Sequence, residues 1–199
     1  MQPTERASVS GVRTLITRAL VASALLAALT PALALAADSW LDQPLSNWNQ
    51  AGTDLPQAPP MDPATNPRCL GQGRAPETPA DQALVDAGWT LFAGYNGGWN
   101  TYIVRALSGY DGMCRPLGFN VFVFVDGQFA GTISPDLMDS RADGVGDIRF
   151  FAAQDSIIGE FQRYSSTDPL CCPSGQATVI YGINRTSAGP VLVPQSVTS

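Results

Sequence analysis

The sequence feature that most constrains the fold is a pair of apolar runs joined by Asp126-Gly127. Residues 119–125 read FNVFVFV, and residues 128–133 read QFAGTI. An Asp-Gly dipeptide between two such runs predicts a tight β-hairpin, because a type I′ turn needs a positive φ at both central residues. The first run is apolar on both faces, which predicts a central strand that is covered on both sides.

The rest of the predicted domain has the character of a small antiparallel sheet with little helix. The hairpin register predicts three cross-strand pairs: Phe124 with Phe129, Val123 with Ala130, and Phe122 with Gly131. A helix is predicted over residues 79–87, with Thr78 as N-cap, Pro79 in the first turn and Gly88 at its end. Further strands are predicted over residues 89–93, 101–107, 147–151, 157–164 and 176–183, with turns at 95–98 and 108–112. The predicted class is α+β, mainly antiparallel β, with about six strands and one or two short helices.

Composition divides the chain into four segments. Residues 1–36 carry three Arg before an uncharged run, and Ala34, Ala36 and Ala37 fit a signal-peptidase site, so this segment is predicted to be a cleaved signal peptide. A single membrane anchor is the alternative reading of the same run. Residues 37–67 are Pro-rich and are predicted to be a disordered or extended linker in which Trp40 and Trp48 are exposed; the alternative is that both tryptophans dock on the domain or on a partner. The folded domain is predicted over residues 68–186, and residues 187–199 are predicted to be a flexible tail.

Charge and residue types exclude several functions. The chain has a net charge of −6, and beyond residue 36 it holds 8 Arg against 16 acidic residues, a net charge of −8. Such a surface repels phosphates, which argues against nucleic-acid binding and against docking on anionic lipid. The chain has no His, which removes His-dependent catalytic triads and the commonest metal ligand. No cofactor and no metal site are therefore predicted.

The four cysteines are predicted to form two disulfides in an oxidising compartment. Cys171 and Cys172 are adjacent, and neighbouring side chains of an extended chain point to opposite sides. The expected pairing therefore joins one of them to Cys69 and the other to Cys114. The alternative is a bond between Cys171 and Cys172, which would suggest thiol redox chemistry.

Three groups of residues are candidates for function. Aromatic residues of the first predicted strands could form a binding surface, namely Trp89, Tyr95, Trp99 and Tyr102. The loop that holds Arg141 and Asp143 faintly resembles a calcium loop, but an Arg141–Asp ion pair explains it better. Glu160 is the candidate acid of a carboxylate-based hydrolase, although a solvated strand face is the simpler explanation.

Several runs together resemble the LppP/LprE lipoprotein family of bacterial exported proteins. The matching runs, within residues 85–184, are DGMCRPLG (111–118), FVFV with GQFAGT (122–132), the Ser134–Gly144 loop and RYSSTDPLCCPS (163–174). The resemblance implies export, one domain and disulfides, and it brings no catalytic residues. The chain departs from the family name because no lipobox Cys follows the apolar run, the first cysteine being Cys69.

The sequence therefore predicts a secreted or periplasmic protein that acts without catalysis, by binding or as a structural component of the envelope. Its partner would be an envelope component or another protein, with no nucleic acid and no stable membrane anchor once the signal peptide is cleaved. The alternatives are an exported hydrolase and a thiol-redox protein using Cys171 and Cys172. The sequence sets neither the ligand nor the oligomeric state.

Overall fold

Eight antiparallel strands form two four-stranded sheets in the computed structural model, which describes residues 39–61, 63 and 65–199, apart from the side chains of residues 94–97. The strands of the first sheet are β1 Thr90–Gly98, β2 Thr101–Tyr110, β3 Pro116–Val125 and β4 Gln128–Thr132. Those of the second are β5 Val145–Phe151, β6 Ser156–Arg163, β7 Gly175–Thr186 and β8 Gly189–Thr198. In each sheet the strands lie side by side in chain order.

In the part of the chain that the structure describes, helical structure is limited to short elements. The α-helix α1 spans Pro79–Asp86, and 3₁₀ turns span Trp40–Asp42, Pro67–Gln72 and Ala152–Gln154. Thr78 caps α1 as predicted and forms a capping box with Asp81. Among the described residues, no helix has the length and apolar character needed to span a membrane. The mainly antiparallel β class is confirmed, with eight strands in two sheets where about six were predicted.

The first sheet is covered on both faces, because the side chains of a strand alternate between its two faces. In β3, Val121, Val123 and Val125 face a core that they share with residues of the second sheet. Phe122 and Phe124 face a second core, which α1 closes with Ala80, Leu84 and Ala87. The prediction of a central strand covered on both sides is confirmed.

The β3–β4 hairpin has the predicted turn but a different register. Asp126 and Gly127 have φ values of 51° and 78°, as a two-residue turn of this type requires. Phe124 pairs with Phe129 as predicted, but a register shift follows, so that Val123 pairs with Gly131 and not with Ala130. Phe122 accordingly pairs with Thr132. A bulge of this kind adds one residue to a strand and cannot be read from the turn alone.

The N-terminal part of the described chain packs against both sheets. Asn49 donates to the carbonyls of Thr132 in β4 and Leu192 in β8, and it accepts from the Thr132 amide. A Cβ at Gly131, where φ is +135°, would collide with Asn49, so glycine is needed for this close approach. The described residues from 39 onward form one compact unit, and the prediction of a disordered linker is wrong for the part of that segment that the structure describes.

Two tryptophans explain why this Pro-rich segment is ordered. Trp40 packs edge-on against Trp48 and Phe161, with ring centroids 5.0 and 5.3 Å away. The Trp48 indole N–H donates to the Thr132 carbonyl and lies edge-on to Tyr181. The prediction that both tryptophans are exposed is wrong, because two aromatic anchors compensate for the low apolar content of the segment.

Two other sequence boundaries differ from the structure. The predicted C-terminal tail forms β8, and its Leu192 is fully buried in the core between the sheets. The turn predicted at residues 95–98 belongs to β1, and the chain reverses at Trp99 and Asn100, both with positive φ. The predicted signal peptide, with its cleavage residues Ala34, Ala36 and Ala37, lies outside the described residues.

Candidate functional site

The candidate site lies where the first part of β5 approaches the first sheet. It consists of two adjoining depressions that share the side chain of Gln162 on β6. We call the first the arginine cavity; its volume is about 240 Å³ and it is lined by Phe92, Arg105, Pro116, Phe119, Ser140, Gly144, Val145 and Gln162. We call the second the glutamine depression; its volume is about 320 Å³ and it is lined by Gly146, Asp147, Glu160, Phe161, Gln162, Pro173, Gly175 and Gln176.

A bulge in β5 separates the two depressions. Val145 pairs with Phe161 and Asp147 pairs with Glu160, so Gly146 is the extra residue between them. The carbonyl of Gly146 accepts a hydrogen bond of 3.1 Å from Nη2 of Arg105. Bulges of this kind redirect groups at the edges of sheets and beside binding sites. Here the bulge fixes the arginine side chain at the boundary between the two depressions.

Gly144 is required beside the arginine cavity because the chain passes close to two neighbours there. A Cβ at this position would lie 2.6 Å from the carbonyl oxygen of Asp139 and 3.2 Å from Cζ of Phe119. Phe119 in turn packs edge-on against Phe92 at 5.7 Å. The apolar wall of the arginine cavity is thus built from two rings in a fixed mutual orientation.

The glutamine depression presents amide and carboxylate groups on the face of the second sheet opposite the core. Gln162 and Gln176 are cross-strand partners of β6 and β7, and Glu160 lies two pairs further along, on the same face of the sheet. Glu160 forms an ion pair with Arg149 and accepts from Nε2 of Gln176 at 2.9 Å. Arg149 also lies 3.7 Å from Asp147. An arginine between the two carboxylates favours an ion-pair network over acid catalysis by Glu160.

The cysteine loop follows β6 at one end of the glutamine depression. Asp168 organises it by accepting hydrogen bonds from the amides of Ser165 and Ser174 and from the Ser174 hydroxyl. These two backbone donors lower the pKa of Asp168 to about 2. Cys171, Cys172 and their neighbour Leu170 are exposed at the tip of this loop.

The disulfides are Cys69–Cys114 and Cys171–Cys172, so the expected pairing between the two sets is wrong. That expectation assumed an extended chain at Cys171 and Cys172. The chain instead turns there, because the amide of Cys172 donates to the carbonyl of Pro169. A turn brings adjacent side chains to the same side. Cys69 is fully buried, and its bond joins the Pro67–Gln72 turn to the loop before β3.

The predicted aromatic surface is not assembled as expected. Trp89 is 4% exposed, and its indole N–H donates to the carbonyl of Pro56, so this residue belongs to the core. Tyr102 packs partly buried against the same core, and the side chain of Tyr95 lies outside the described residues. Trp99, at the β1–β2 turn, is 82% exposed and lines neither depression.

Arg141 and Asp143 also have different partners from those expected. Asp143 pairs with Arg163 at 3.3 Å, and Asp139 accepts from the amide of Gly118. In the described part of the chain Arg141 forms no ion pair; its Nη2 contacts the sulfur of Met113. The predicted Arg141–Asp pair is wrong because other groups satisfy both acids. Within that same part, no group of three or more acidic or cysteine side chains is placed to hold a metal ion.

A third depression, of about 470 Å³, lies between the Pro-rich segment and the first sheet. Its walls are formed by Pro60, Pro63, Ser108, Leu117, Gly118, Leu137 and Asp139. Of the described residues that line it, Asp139 is the only charged one, and it already accepts a hydrogen bond from the Gly118 amide. The arginine cavity, by contrast, has a cation that can receive a ligand.

The comparison with known families covers the region that holds these features. The sequence model of the LppP/LprE lipoprotein family matches residues 97–186. No curated protein and no solved structure gives a significant match. The matched residues include Arg105, Gln162, Gln176 and the cysteine loop, and they exclude α1 and β8.

Proposed function

We propose that the chain, whose residues 97–186 match the model of the LppP/LprE lipoprotein family, is an exported binding domain of the bacterial cell envelope. The family and the two disulfides indicate export, because disulfides persist in oxidising compartments. The observation that carries the binding proposal is the pair of depressions joined at Gln162. Concave sites with a few convergent polar groups are typical of small-ligand binding.

The chemistry of the glutamine depression favours a neutral, polar ligand. Amide side chains both donate and accept hydrogen bonds, as hydroxyl- and amide-rich molecules require. Glu160 and Asp147 are already engaged with Arg149, so this part of the site offers no free cation to a phosphate. The net negative charge of the chain also disfavours polyanionic envelope polymers. We therefore expect the part of the ligand that lies in the glutamine depression to be an uncharged, hydroxyl- and amide-rich portion of an envelope polymer fragment.

Retention of envelope fragments by the purified protein tests this proposal. The probe is a lysozyme digest of bacterial cell wall passed over the immobilised full chain. The double variant Gln162→Ala/Gln176→Ala should lower retention roughly tenfold, because each amide contributes about one hydrogen bond to the ligand. The matched control is Gln154→Ala, an exposed glutamine of the turn before β6, which should retain fragments like the wild type.

A second variant separates this site from the aromatic surface. Trp99→Ala removes an exposed ring that lines neither depression, so it should leave retention unchanged. Loss of retention in Trp99→Ala but not in the glutamine variant would move the binding surface to the β1–β2 turn. Failure of cell-wall, membrane and protein fractions alike to bind the wild type would contradict the binding proposal.

Export through a cleaved signal peptide belongs to the same proposal. It is supported by the uncharged run before Ala36 and by the small residues at positions 34, 36 and 37. The intact mass of the protein purified from its own host should correspond to a chain that begins at Ala37 or Asp38. A mass that retains residues 1–36 would instead indicate a membrane-anchored protein.

The Cys171–Cys172 bond favours thiol redox activity as a second candidate function. Two thiols of a reductant would reduce this bond to two cysteine thiols and be oxidised to one disulfide, with two electrons and two protons transferred. Both cysteines are exposed, which favours reduction, whereas Cys69 is buried. In a glutathione buffer, alkylation should label residues 171 and 172 and spare 69 and 114. If all four cysteines stay unlabelled, the redox function is ruled out.

A further inference from the structure

Arg105 lies between two apolar residues on one face of β2. Its neighbours on the same face of β2, Ile103 and Leu107, are buried in the core between the two sheets. Its cross-strand partner on β3 is Val121, which is also part of that core. Arg105 itself is partly buried, and a cation that loses part of its hydration is costly unless it is paired. The position therefore needs a reason beyond packing.

The protein itself supplies little compensation for this cation. Among the described residues its guanidinium has one hydrogen bond, to the Gly146 carbonyl, although an arginine offers five N–H donors. Within residues 39–61, 63 and 65–199, no carboxylate forms an ion pair with Arg105, while five other arginines are paired: Arg74, Arg115, Arg149, Arg163 and Arg185. Burial lowers the pKa of Arg105, and the nearby charge of Asp147 offsets only part of that effect.

The walls of the arginine cavity combine polar and apolar groups that can contact a ligand bound to Arg105. Ser140 and Gln162 are its other polar side chains, and Phe92, Phe119 and Val145 form an apolar side. A volume of about 240 Å³ holds a small organic acid but no large cofactor. The cavity opens beside the glutamine depression, because both are lined by Gln162.

We propose that Arg105 binds the carboxylate of a ligand whose adjoining apolar group lies against Phe92 and Phe119. The planar guanidinium matches a carboxylate in a two-bond fork, which gives both strength and orientation. A single cation in a protein of net charge −6 does not compensate a doubly charged phosphate or sulfate. The inference rests on the proposed binding function and names the part of the ligand that enters this cavity.

Amide and guanidinium NMR signals of the full chain test the proposal with defined probes. Benzoate and isovalerate are the carboxylates, benzamide is the neutral analogue, and sulfate is the competing anion. The two carboxylates should shift the signals of Gly144, Val145, Gly146 and the Arg105 Nε–H at millimolar concentration. Benzamide should bind at least about tenfold more weakly, because it loses the charge-assisted pair, and sulfate should bind at least about tenfold more weakly, because it has no apolar group to lie against Phe92 and Phe119.

Variants at Arg105 decide whether the guanidinium is the anchor. Arg105→Gln should weaken carboxylate binding at least about tenfold, and Arg105→Lys should restore part of it through its charge. The matched control is Arg68→Gln, an exposed arginine without an ion pair among the described residues, which should bind like the wild type. A merely structural arginine would lower the melting temperature when replaced, whereas a binding arginine without a partner should leave it unchanged or raised.

Three results would overturn the proposal. The first is that neither carboxylate shifts the NMR signals of the arginine cavity. The second is that benzamide or sulfate binds as tightly as benzoate. The third is that Arg105→Gln binds benzoate like the wild type. If Arg105→Gln does not fold, the Arg105→Lys variant and the comparison of benzamide with benzoate still test whether Arg105 binds the carboxylate. Cell-wall fragments that require Gln162 and Gln176 but bind normally to Arg105→Gln would leave the proposed function intact and refute the carboxylate anchor alone.

Discussion

Asp81 is the side chain on which the N-terminus of α1 depends. It is buried, it accepts from the amides of Glu77 and Thr78, and it forms a two-bond ion pair with Arg74. Burial opposes the ionisation of this carboxyl group, but Arg74 and the two backbone donors outweigh burial and lower its pKa. One carboxylate thus joins the helix cap to the segment that precedes it.

Asp81→Asn is expected to destabilise the protein by about 2–4 kcal/mol at pH 7, because it leaves Arg74 partly buried without its partner. A lowered pKa means that this stabilisation is present above the ordinary pKa of 3.8 and is lost as pH falls through the lower folded value. Urea unfolding of both proteins between pH 7 and pH 2 measures the difference. The two stabilities should converge in acid, and a gap that stays constant to pH 2 would contradict the account.

At the scale of elements, signals within a few residues were predictable from sequence. The Thr78 cap, the Asp126-Gly127 turn and the two-faced apolar run of β3 each follow from a local rule, and each is found. Each rule depends only on residues that are close together in the sequence. The second sheet therefore did not have to be known for the rules to apply.

The elements that were missed depend on distant partners. In β8 the apolar positions are interrupted by Pro190 and Pro194, so no run of alternating residues marks the strand; its pairing with β7 defines it. The segment before residue 61 is ordered by a few specific contacts, of which Asn49 makes three hydrogen bonds. Average composition cannot detect one asparagine that fits over Gly131 in another part of the chain.

Asn49→Ala should therefore destabilise the protein by about 2–3 kcal/mol, because it leaves the Thr132 amide and the Leu192 carbonyl without partners. Thermal or urea unfolding measures the loss. The neighbouring exposed residue supplies the control, and Gln50→Ala should change stability by less than about 0.5 kcal/mol. Equal stabilities for the two variants would mean that the N-terminal segment does not contribute to the folded unit.

At the scale of the whole molecule, the two disulfides have different consequences. Cys69–Cys114 closes a sequence separation of 45 residues, which corresponds to about 4 kcal/mol of loop-closure entropy in the simple chain model. The Cys171–Cys172 bond closes a separation of one residue and restricts the unfolded chain very little. The first bond can stabilise the fold, whereas the second needs a local or chemical explanation.

Cys114→Ser is accordingly expected to cost about 2–5 kcal/mol and to lower the melting temperature. The double variant Cys171→Ser/Cys172→Ser should change stability by less than about 0.5 kcal/mol, because it alters an exposed loop. Calorimetry of the two proteins under oxidising conditions gives the comparison. A double variant as unstable as Cys114→Ser would show that the adjacent bond is structural.

The candidate site was the least predictable part of the molecule. The alternation Ile103, Arg105, Leu107 in the sequence is a signal that a charge interrupts an apolar strand face, and it was available before the structure. Its meaning depended on the second sheet, because Gly146 and Gln162 come from β5 and β6. The aromatic residues of the sequence instead predicted a binding surface that included Trp89, and this residue is buried in the fold.

The most direct test of the binding account is an NMR spectrum of the isotope-labelled full chain with and without the lysozyme digest of cell wall. The account predicts shifts for Gly144, Val145, Gly146 and Gln176, which border the two depressions. It also predicts that the fragments are recovered with unchanged masses, because the proposed function is binding without catalysis. Shifts confined to other parts of the chain, or fragments recovered with altered masses, would contradict it.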